Sequence, residues 1–190
     1  MSKVTGVILA GGRGSRMGGV DKGLQLFRGK PMVAHIIDCL LPQVDELLIN
    51  ANQNLDQYGI FGHRVFADDI QGFAGPLAGF ERGLANASGD LVVTAPCDSP
   101  FLPADLVARL KAAMGEDSAD LCVAKTGGQA HPVFCLMQRK VLPSLRAFLQ
   151  SGGRKIDRWY ETLKVVEVSF DDEEDAFRNI NTLEEIKAFE

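Results

Sequence analysis

The stretch VILAGGRGSRMGGVDK, Val7 to Lys22, sets a short apolar run against a loop holding five glycines and three cations, Arg13, Arg16 and Lys22. The apolar run starts at Val4 and ends at Leu9, which predicts a strand buried on both faces. Glycines directly after such a strand let backbone N–H groups approach a ligand closely, because no Cβ intervenes. Successive N–H groups in such a turn converge on anions, and the cations add the charge that phosphates require. The same residues also fit a surface loop without a ligand.

Working outward, the first strand begins an alternation. Further strands are predicted at Glu46–Asn50, Arg64–Ala67, Asp90–Ala95 and Ala119–Lys125, each rich in Val, Ile or Leu and followed by turn residues. Helical patterns lie between them. Pro31 is placed as the first residue of a helix carrying Val33, Ile36, Ile37 and Leu40 on one face. Pro76 opens a second, with Leu77, Phe80 and Leu84, and Pro103 stands near the start of a third, with Leu106, Leu110 and Met114. Thr182 and Glu185 fit a capping box ahead of Ile186 and Phe189. Strands alternating with helices predict an α/β fold: a Rossmann-like, doubly wound, mostly parallel sheet flanked by helices. Beyond Lys125 the pattern loosens. Gly127–Gly128 predicts a tight turn, the run after Pro132 a strand, Val141–Gln150 a helix and Lys164–Phe170 a last strand, so this part is expected to add an antiparallel strand.

At 190 residues, 46% hydrophobic and 24% charged, the chain has the material for one domain, residues 1–190, with a full core. A net charge of −5 argues against nucleic-acid binding, which needs a broadly basic face. The charge is uneven, however: residues 13–30 carry Arg13, Arg16, Lys22, Arg28 and Lys30 against Asp21 alone. The acidic run Asp171–Asp175 reads as a solvated turn. Cys39, Cys97, Cys122 and Cys135 form no CxxC pair, so buried thiols in a reducing compartment are expected. The core pattern starts by Val4 with no apolar leader before it, and no run approaches the roughly 18 apolar residues of a membrane span. A cytoplasmic protein without membrane attachment is expected.

Two common phosphate loops fail. A G-x-G-x-x-G read from Gly12 places Met17 where the third glycine belongs, and the Gly29–Lys30 pair is followed by Pro31 instead of Ser or Thr. The loop does match L-A-G-G-x-G-x-R-M-G-x-x-x-K from Leu9 to Lys22 without a gap. With it stand NAN at Asn50–Asn52, GPLAG at Gly75–Gly79, PCDSPFLP at Pro96–Pro103, HP at His131–Pro132 and NINT at Asn179–Thr182. In this order the chain resembles the molybdenum cofactor guanylyltransferases over nearly its whole length. The loop alone is shared with cytidylyl and sugar-phosphate nucleotidyltransferases.

The resemblance implies the nucleotide-diphospho-sugar-transferase type of sheet and transfer of GMP from GTP to the terminal phosphate of molybdopterin, with release of diphosphate. It implies GTP contacts from Leu9, Ala10, Gly11, Gly12, Arg13, Lys22, Asn50, Asp68 and Asp98, with Arg16, Lys22 and Asp98 catalytic. It divides the chain into a GTP-binding part, about residues 1–125, and an acceptor part, about residues 126–190.

Asp98 follows the strand Asp90–Ala95, at the same end of the sheet as the glycine loop. A carboxylate there suits Mg²⁺, and it equally suits a turn or N-cap; the resemblance implies the metal. Asn50 and Asp68 also stand at strand ends, where each fits a nucleotide contact or an ordinary turn former. Asp69, next to Asp68, leaves open which of the two faces the ligand. On the acceptor side the resemblance implies Arg154, Asn179 and Asn181. Asn181–Thr182 also suits a helix cap, and Arg154–Lys155 suits solvated surface charge.

A phosphate monoester is already a nucleophile near neutral pH, so the implied reaction requires no general base, in keeping with the absence of a Ser-His-Asp or Cys-His pattern. His131 is expected to be structural or part of a site wall. The expected partners are the two substrates and recipient molybdoenzymes or their chaperones, and a monomer is expected. A cytidylyltransferase of the same pathway is the nearest rival, and Gly11, where an alanine methyl would intrude, favours guanine. A sugar-phosphate nucleotidyltransferase, which would lack the MGGVDK form, and a non-catalytic nucleotide-binding protein stand further off; Lys22 and Asp98 are intact, and sensing needs no metal at the α-phosphate.

Overall fold

The computed structural model describes residues 2–12, 20–69 and 75–189. In chain order the elements are β1 (Val4–Leu9), β2 (Leu26–Phe27), β3 (Lys30–Pro31), α1 (Met32–Leu40), β4 (Glu46–Asn50), α2 (Leu55–Gly59), β5 (Arg64–Phe66), α3 (Pro76–Asn86), β6 (Leu91–Pro96), α4 (Leu106–Asp117), β7 (Leu121–Thr126), β8 (Gln129–Gln138), α5 (Leu142–Gln150), α6 (Ile156–Tyr160), β9 (Val165–Ser169) and α7 (Leu183–Ala188). Seven strands form one sheet in the order β5-β4-β1-β6-β8-β7-β9. All neighbours in it run parallel except β8, which is antiparallel to both β6 and β7. The expected doubly wound α/β sheet is therefore present, with its expected antiparallel member.

Each strand feeds two cores. From β1, Val4 and Ile8 join the layer under α1 and α4, while Val7 joins the layer under α3 and α5. This alternation follows from the period of two along a strand. It explains why the strands read as continuous apolar runs: both faces are covered. In α1 the residues Val33, Ile36, Ile37 and Leu40 are buried, together with Met32. In α4 the stripe is Leu106, Val107, Leu110 and Met114.

Two prolines sit differently from expectation. Pro31 lies one residue ahead of α1, extended at φ −53 and ψ 141, and pairs with Leu26 in the β2–β3 hairpin. The hairpin claims it before the helix begins. Pro132 lies inside β8, which starts already at Gln129. The β7–β8 register shifts between Val123, opposite Cys135, and Ala124, opposite His131, so Pro132 falls in the irregularity where no ladder N–H is required. Helices α2 and α6 carry no periodic signal long enough to be anticipated; each is five residues long and is held by one fully buried aromatic ring, Tyr58 or Trp159.

β1 is flanked by β4 on one side and β6 on the other, so the strand order reverses at β1. In doubly wound sheets the crevice beyond the carboxyl ends at that point is where ligands bind.

Candidate active site

Beyond the carboxyl end of β1 lies a crevice of ≈ 430 Å³, walled by Leu9, Gly11, Gly12, Asn50, Asp68 and Gly79, with Gly75, Pro76, Pro96 and Val133 completing it. Backbone bonds set its floor. Ala10 N–H donates to the Asn50 carbonyl at 2.7 Å, and Cys97 N–H donates to the Leu9 carbonyl at 3.0 Å. The parallel pairing of β1 with β4 and β6 thus continues one residue past the strand ends, bringing the residues after each to one rim.

On the β4–β5 side the rim is a closed set of hydrogen bonds around Asp68. Asn50 Nδ2 donates to Asp68 Oδ1 at 2.9 Å, and Asn52 Nδ2 donates to Asp68 Oδ2 at 2.9 Å. Asp68 N–H donates back to Asn52 Oδ1 at 2.8 Å, and Asn52 Nδ2 also reaches the Gly11 carbonyl at 3.2 Å. Asn50 is almost wholly buried. Asp69 points away and accepts from Arg82 Nη1 at 2.6 Å, with its side chain 71% exposed. Of the two aspartates, Asp68 lines the crevice and Asp69 does not. A Cβ on Gly11 would lie 2.8 Å from Asn52 Nδ2 and 3.3 Å from Asn50 Oδ1. The space that Gly11 leaves open is therefore occupied first by this amide pair, and an alanine would press on Asn52 before any base.

Past the carboxyl end of β6, at the same end of the sheet, stands a charged group. Lys22 Nζ lies 3.2 Å from Asp98 Oδ2 and donates to Asn181 Oδ1 at 2.8 Å. Both partners of the ion pair are mostly shielded, with side chains 21% and 14% exposed. The Asn181 segment is pinned there by Ile180 N–H, which donates to the Asp98 carbonyl at 2.8 Å, and by buried Ser99, whose Oγ donates to Asn179 Oδ1 at 2.5 Å. The capping box expected at Thr182 and Glu185 is present, and Glu185 also accepts from Asn181 N–H. Asn181 is thus bonded to the site while its neighbour caps α7; the two readings of that segment are compatible.

Of the remaining expected residues, Arg13 and Arg16 lie outside the described residues. Arg154 donates from Nη1 to the carbonyls of Leu149 (3.0 Å) and Gly153 (2.6 Å), closing the C-terminal end of α5, and makes no bond to the Lys22–Asp98 group. Asn52 and Ser99 stand within the NAN and PCDSPFLP motifs, which by themselves give them no role. Their signal was adjacency: each stands beside an assigned residue, Asn52 two from Asn50 and Ser99 next to Asp98.

His131 stacks on Phe177 at 4.8 Å with the ring planes 19° apart, and its Nε2 lies 2.6 Å from Thr126 Oγ1; burial lowers its pKa, which favours the neutral ring. Burial pushes the Cys122 and Cys135 thiols up to about 11, and Cys97 higher still, so these thiols are not nucleophiles near neutral pH.

Residues 6–165 match the family model of the MobA-like NTP transferase domain. The chain belongs to this family. It is 54% identical over 192 residues to the molybdenum cofactor guanylyltransferase of Cupriavidus taiwanensis, covering 98% of this chain and 96% of the relative. It is 52% identical over 194 residues to the protein of the same name from Ralstonia pickettii, covering 97% and 95%. Among solved structures, the molybdopterin-guanine dinucleotide biosynthesis protein A of Archaeoglobus fulgidus superposes with a TM-score of 0.81 at 22% identity, over 98% of this chain and 96% of that one. That similarity shows a shared fold, the nucleotidyltransferase sheet. The MobA-like match ends at 165, so Asn179 and Asn181 lie beyond it, yet the near-complete coverage by the guanylyltransferases includes them. Among the described residues no helix is long and apolar enough to cross a membrane.

Proposed function

We propose that the chain transfers GMP from GTP to the terminal phosphate of molybdopterin and releases diphosphate. The observation that carries this reading is the Lys22–Asp98–Asn181 group standing just past the carboxyl end of β6, the neighbour of β1, at the same end of the sheet as the crevice lined by Gly11, Gly12 and the fixed Asp68 carboxylate.

The two rims suit the two ends of a nucleoside triphosphate. Asp68 has both oxygens oriented by Asn50 and Asn52, so its free acceptor capacity points into the crevice, toward N–H or O–H donors of a base or ribose. Gly11 and Gly12 supply a wall without side chains and Leu9 an apolar one, while Ala10 is buried in the core beneath them. Lys22 places an ammonium where negative charge grows on the departing diphosphate; the resemblance gives Arg13 and Arg16, outside the described residues, as further cations for the phosphates. In the reaction a phosphate-monoester oxygen of the acceptor forms a bond to the α-phosphorus, the bond from that phosphorus to the bridging oxygen breaks, and its electron pair leaves with diphosphate. No proton has to be removed from the nucleophile, so the site's work is orientation and charge stabilisation.

Mg²⁺ fits the same rim. Asp98 and Asn181 offer hard oxygen atoms, and the Lys22 ammonium already lies between them, which marks the place as one that holds positive charge. Among the described residues no cluster of three or more Asp, Glu, His or Cys could hold an ion alone, so phosphate oxygens would complete the shell around Asp98. When bound, the ion supplies charge neutralisation to the reacting phosphates.

We place the acceptor on the side of residues 126–190, where Asn179 and Asn181 are fastened to Ser99 and Lys22; Arg154, which closes the end of α5, is assigned to that side by the resemblance alone.

The test is a turnover assay of the purified chain with molybdopterin, Mg²⁺ and each of GTP, CTP, ATP and UTP, following diphosphate release. GTP-dependent release with formation of a guanine dinucleotide is expected. Release with CTP and none with GTP would replace this reading by the cytidylyl one.

A further inference from the structure

Asp21 directly precedes Lys22 and has no part in the chemistry above, yet it is among the most heavily bonded carboxylates of the molecule. Its Oδ1 accepts from the Tyr58 hydroxyl and from Gly23 N–H at 3.2 Å, and its Oδ2 accepts from Asn54 Nδ2 at 3.1 Å. Tyr58 is completely buried, and Asp21 is the hydrogen-bond partner of its hydroxyl among the described residues. Burial foremost, with the neighbouring Cys97 and Asp21 adding to it, raises the Tyr58 pKa far above its ordinary value, so the phenol stays a neutral donor throughout the working range.

The bonds converge on one turn. Asp21 caps the single 3₁₀ turn Lys22–Leu24, whose Gln25 N–H donates to the Lys22 carbonyl at 3.2 Å. Gly23 is pressed against the tyrosine: a Cβ there would collide with the Tyr58 hydroxyl and lie 3.2 Å from the Cys97 Cβ. The backbone of Lys22 is therefore seated on α2 and on the residue before Asp98. A lysine side chain is a long flexible stem, and its ammonium is preorganised only as far as its base is fixed.

The geometry points to Asp21, held by Tyr58 and Asn54, as the positioning residue for Lys22: it fixes the turn from which the ammonium reaches the leaving diphosphate. This rests on the role given to Lys22 under the proposed function. A merely structural Asp21 would tie the turn to α2 for stability and leave Lys22 indifferent.

The experiment is a double-mutant cycle in the GTP assay. Tyr58→Phe keeps the buried ring and removes the donor. Asn54→Gly keeps the left-handed backbone at φ 53 and removes the amide. In the wild-type background Tyr58→Phe is expected to lower kcat by about tenfold and Asn54→Gly by about threefold, each with the GTP KM little changed, since the interaction lost belongs to the transition state. In a Lys22→Ala background both effects are expected to disappear, because coupled residues are not additive. Equal slowing in both backgrounds, or unchanged kcat for both variants in the wild type, overturns the inference while leaving the function standing. Should Tyr58→Phe fail to fold, Asn54→Gly decides alone by the same criteria. Undiminished kcat in Lys22→Ala overturns the role of Lys22 and this inference with it.

Discussion

The two polar groups at the carboxyl end of the sheet, here its two rims, are built in contrasting ways. The Asn50–Asn52–Asp68 rim joins residues 16 and 18 positions apart, from the ends of adjacent parallel strands, and sets neutral amide donors on one carboxylate. The Lys22–Asp98–Asn181 rim joins residues 76 and 159 positions apart and sets a cation between two oxygens. The first is closed upon itself and holds its shape through short-range pairing. The second depends on the segment around Ile180 being fastened to the Asp98 carbonyl. A rim of the first kind suits a part of the substrate that must be recognised in one orientation. A rim of the second kind suits charge that changes during the reaction.

The largest effect should come from breaking the charged rim. Asp98→Ala is expected to lower kcat by about 10²–10³-fold, the range for losing one electrostatic contact at a reacting centre. Because the side chain lies at the rim and its backbone carbonyl still holds Ile180, circular dichroism should remain that of the wild type; turnover within a few-fold of wild type would show that the charged rim is not where the chemistry occurs.

A smaller effect, of another kind, is expected on the amide rim. Asp68→Asn faces the donor amides of Asn50 and Asn52 with a donor of its own and forfeits a charge-assisted bond worth about 1.5–3 kcal/mol. The GTP KM should rise by about 10–100-fold with kcat little changed. A fall in kcat at constant KM would erase the distinction between a recognition rim and a reaction rim.

The smallest effect lies at the edge of the acceptor side. Burial lowers the folded-state pKa of His131 below its unfolded value. As pH falls through the unfolded value, near 6.5, the unfolded chain takes up a proton that the folded chain resists, so stability drops until the folded pKa is passed. Melting temperatures between pH 7.5 and 5 should therefore fall more in the wild type than in His131→Gln. Equal falls would show that the ring against Phe177 titrates as it does in the unfolded chain.

How much of this was legible in the chain differs by rim. Asn50, Asp68 and Asp98 follow apolar runs whose ends are readable, and parallel strands bring such ends to one edge of a sheet. Only the choice between Asp68 and Asp69 needed the tertiary structure, because β5 ends at Phe66 and the two aspartates then point oppositely. Asp21 read as the lone acid in a basic stretch; nothing local announced that a buried tyrosine would bind it, since α2 is too short to show a period. Gly11 was legible as a place where a methyl would not fit, but what it would strike was not.

The sequence by itself determined the alternation of buried strands and amphipathic helices, the capping box of α7, the failure of the two common phosphate motifs and the match to the nucleotidyltransferase signature. These are short-range matters, governed by periods of 2 and 3.6 residues and by neighbours within one turn. Tertiary structure alone decided that β8 would enter the sheet between β6 and β7. It alone decided that Asn181 would reach across to Lys22, and that Tyr58 would hold the aspartate beside that lysine. The physical reason is that a hydrogen bond carries no mark of its partner's place in the chain: donors and acceptors are declared by residue type, and their meeting is settled only when the layers pack.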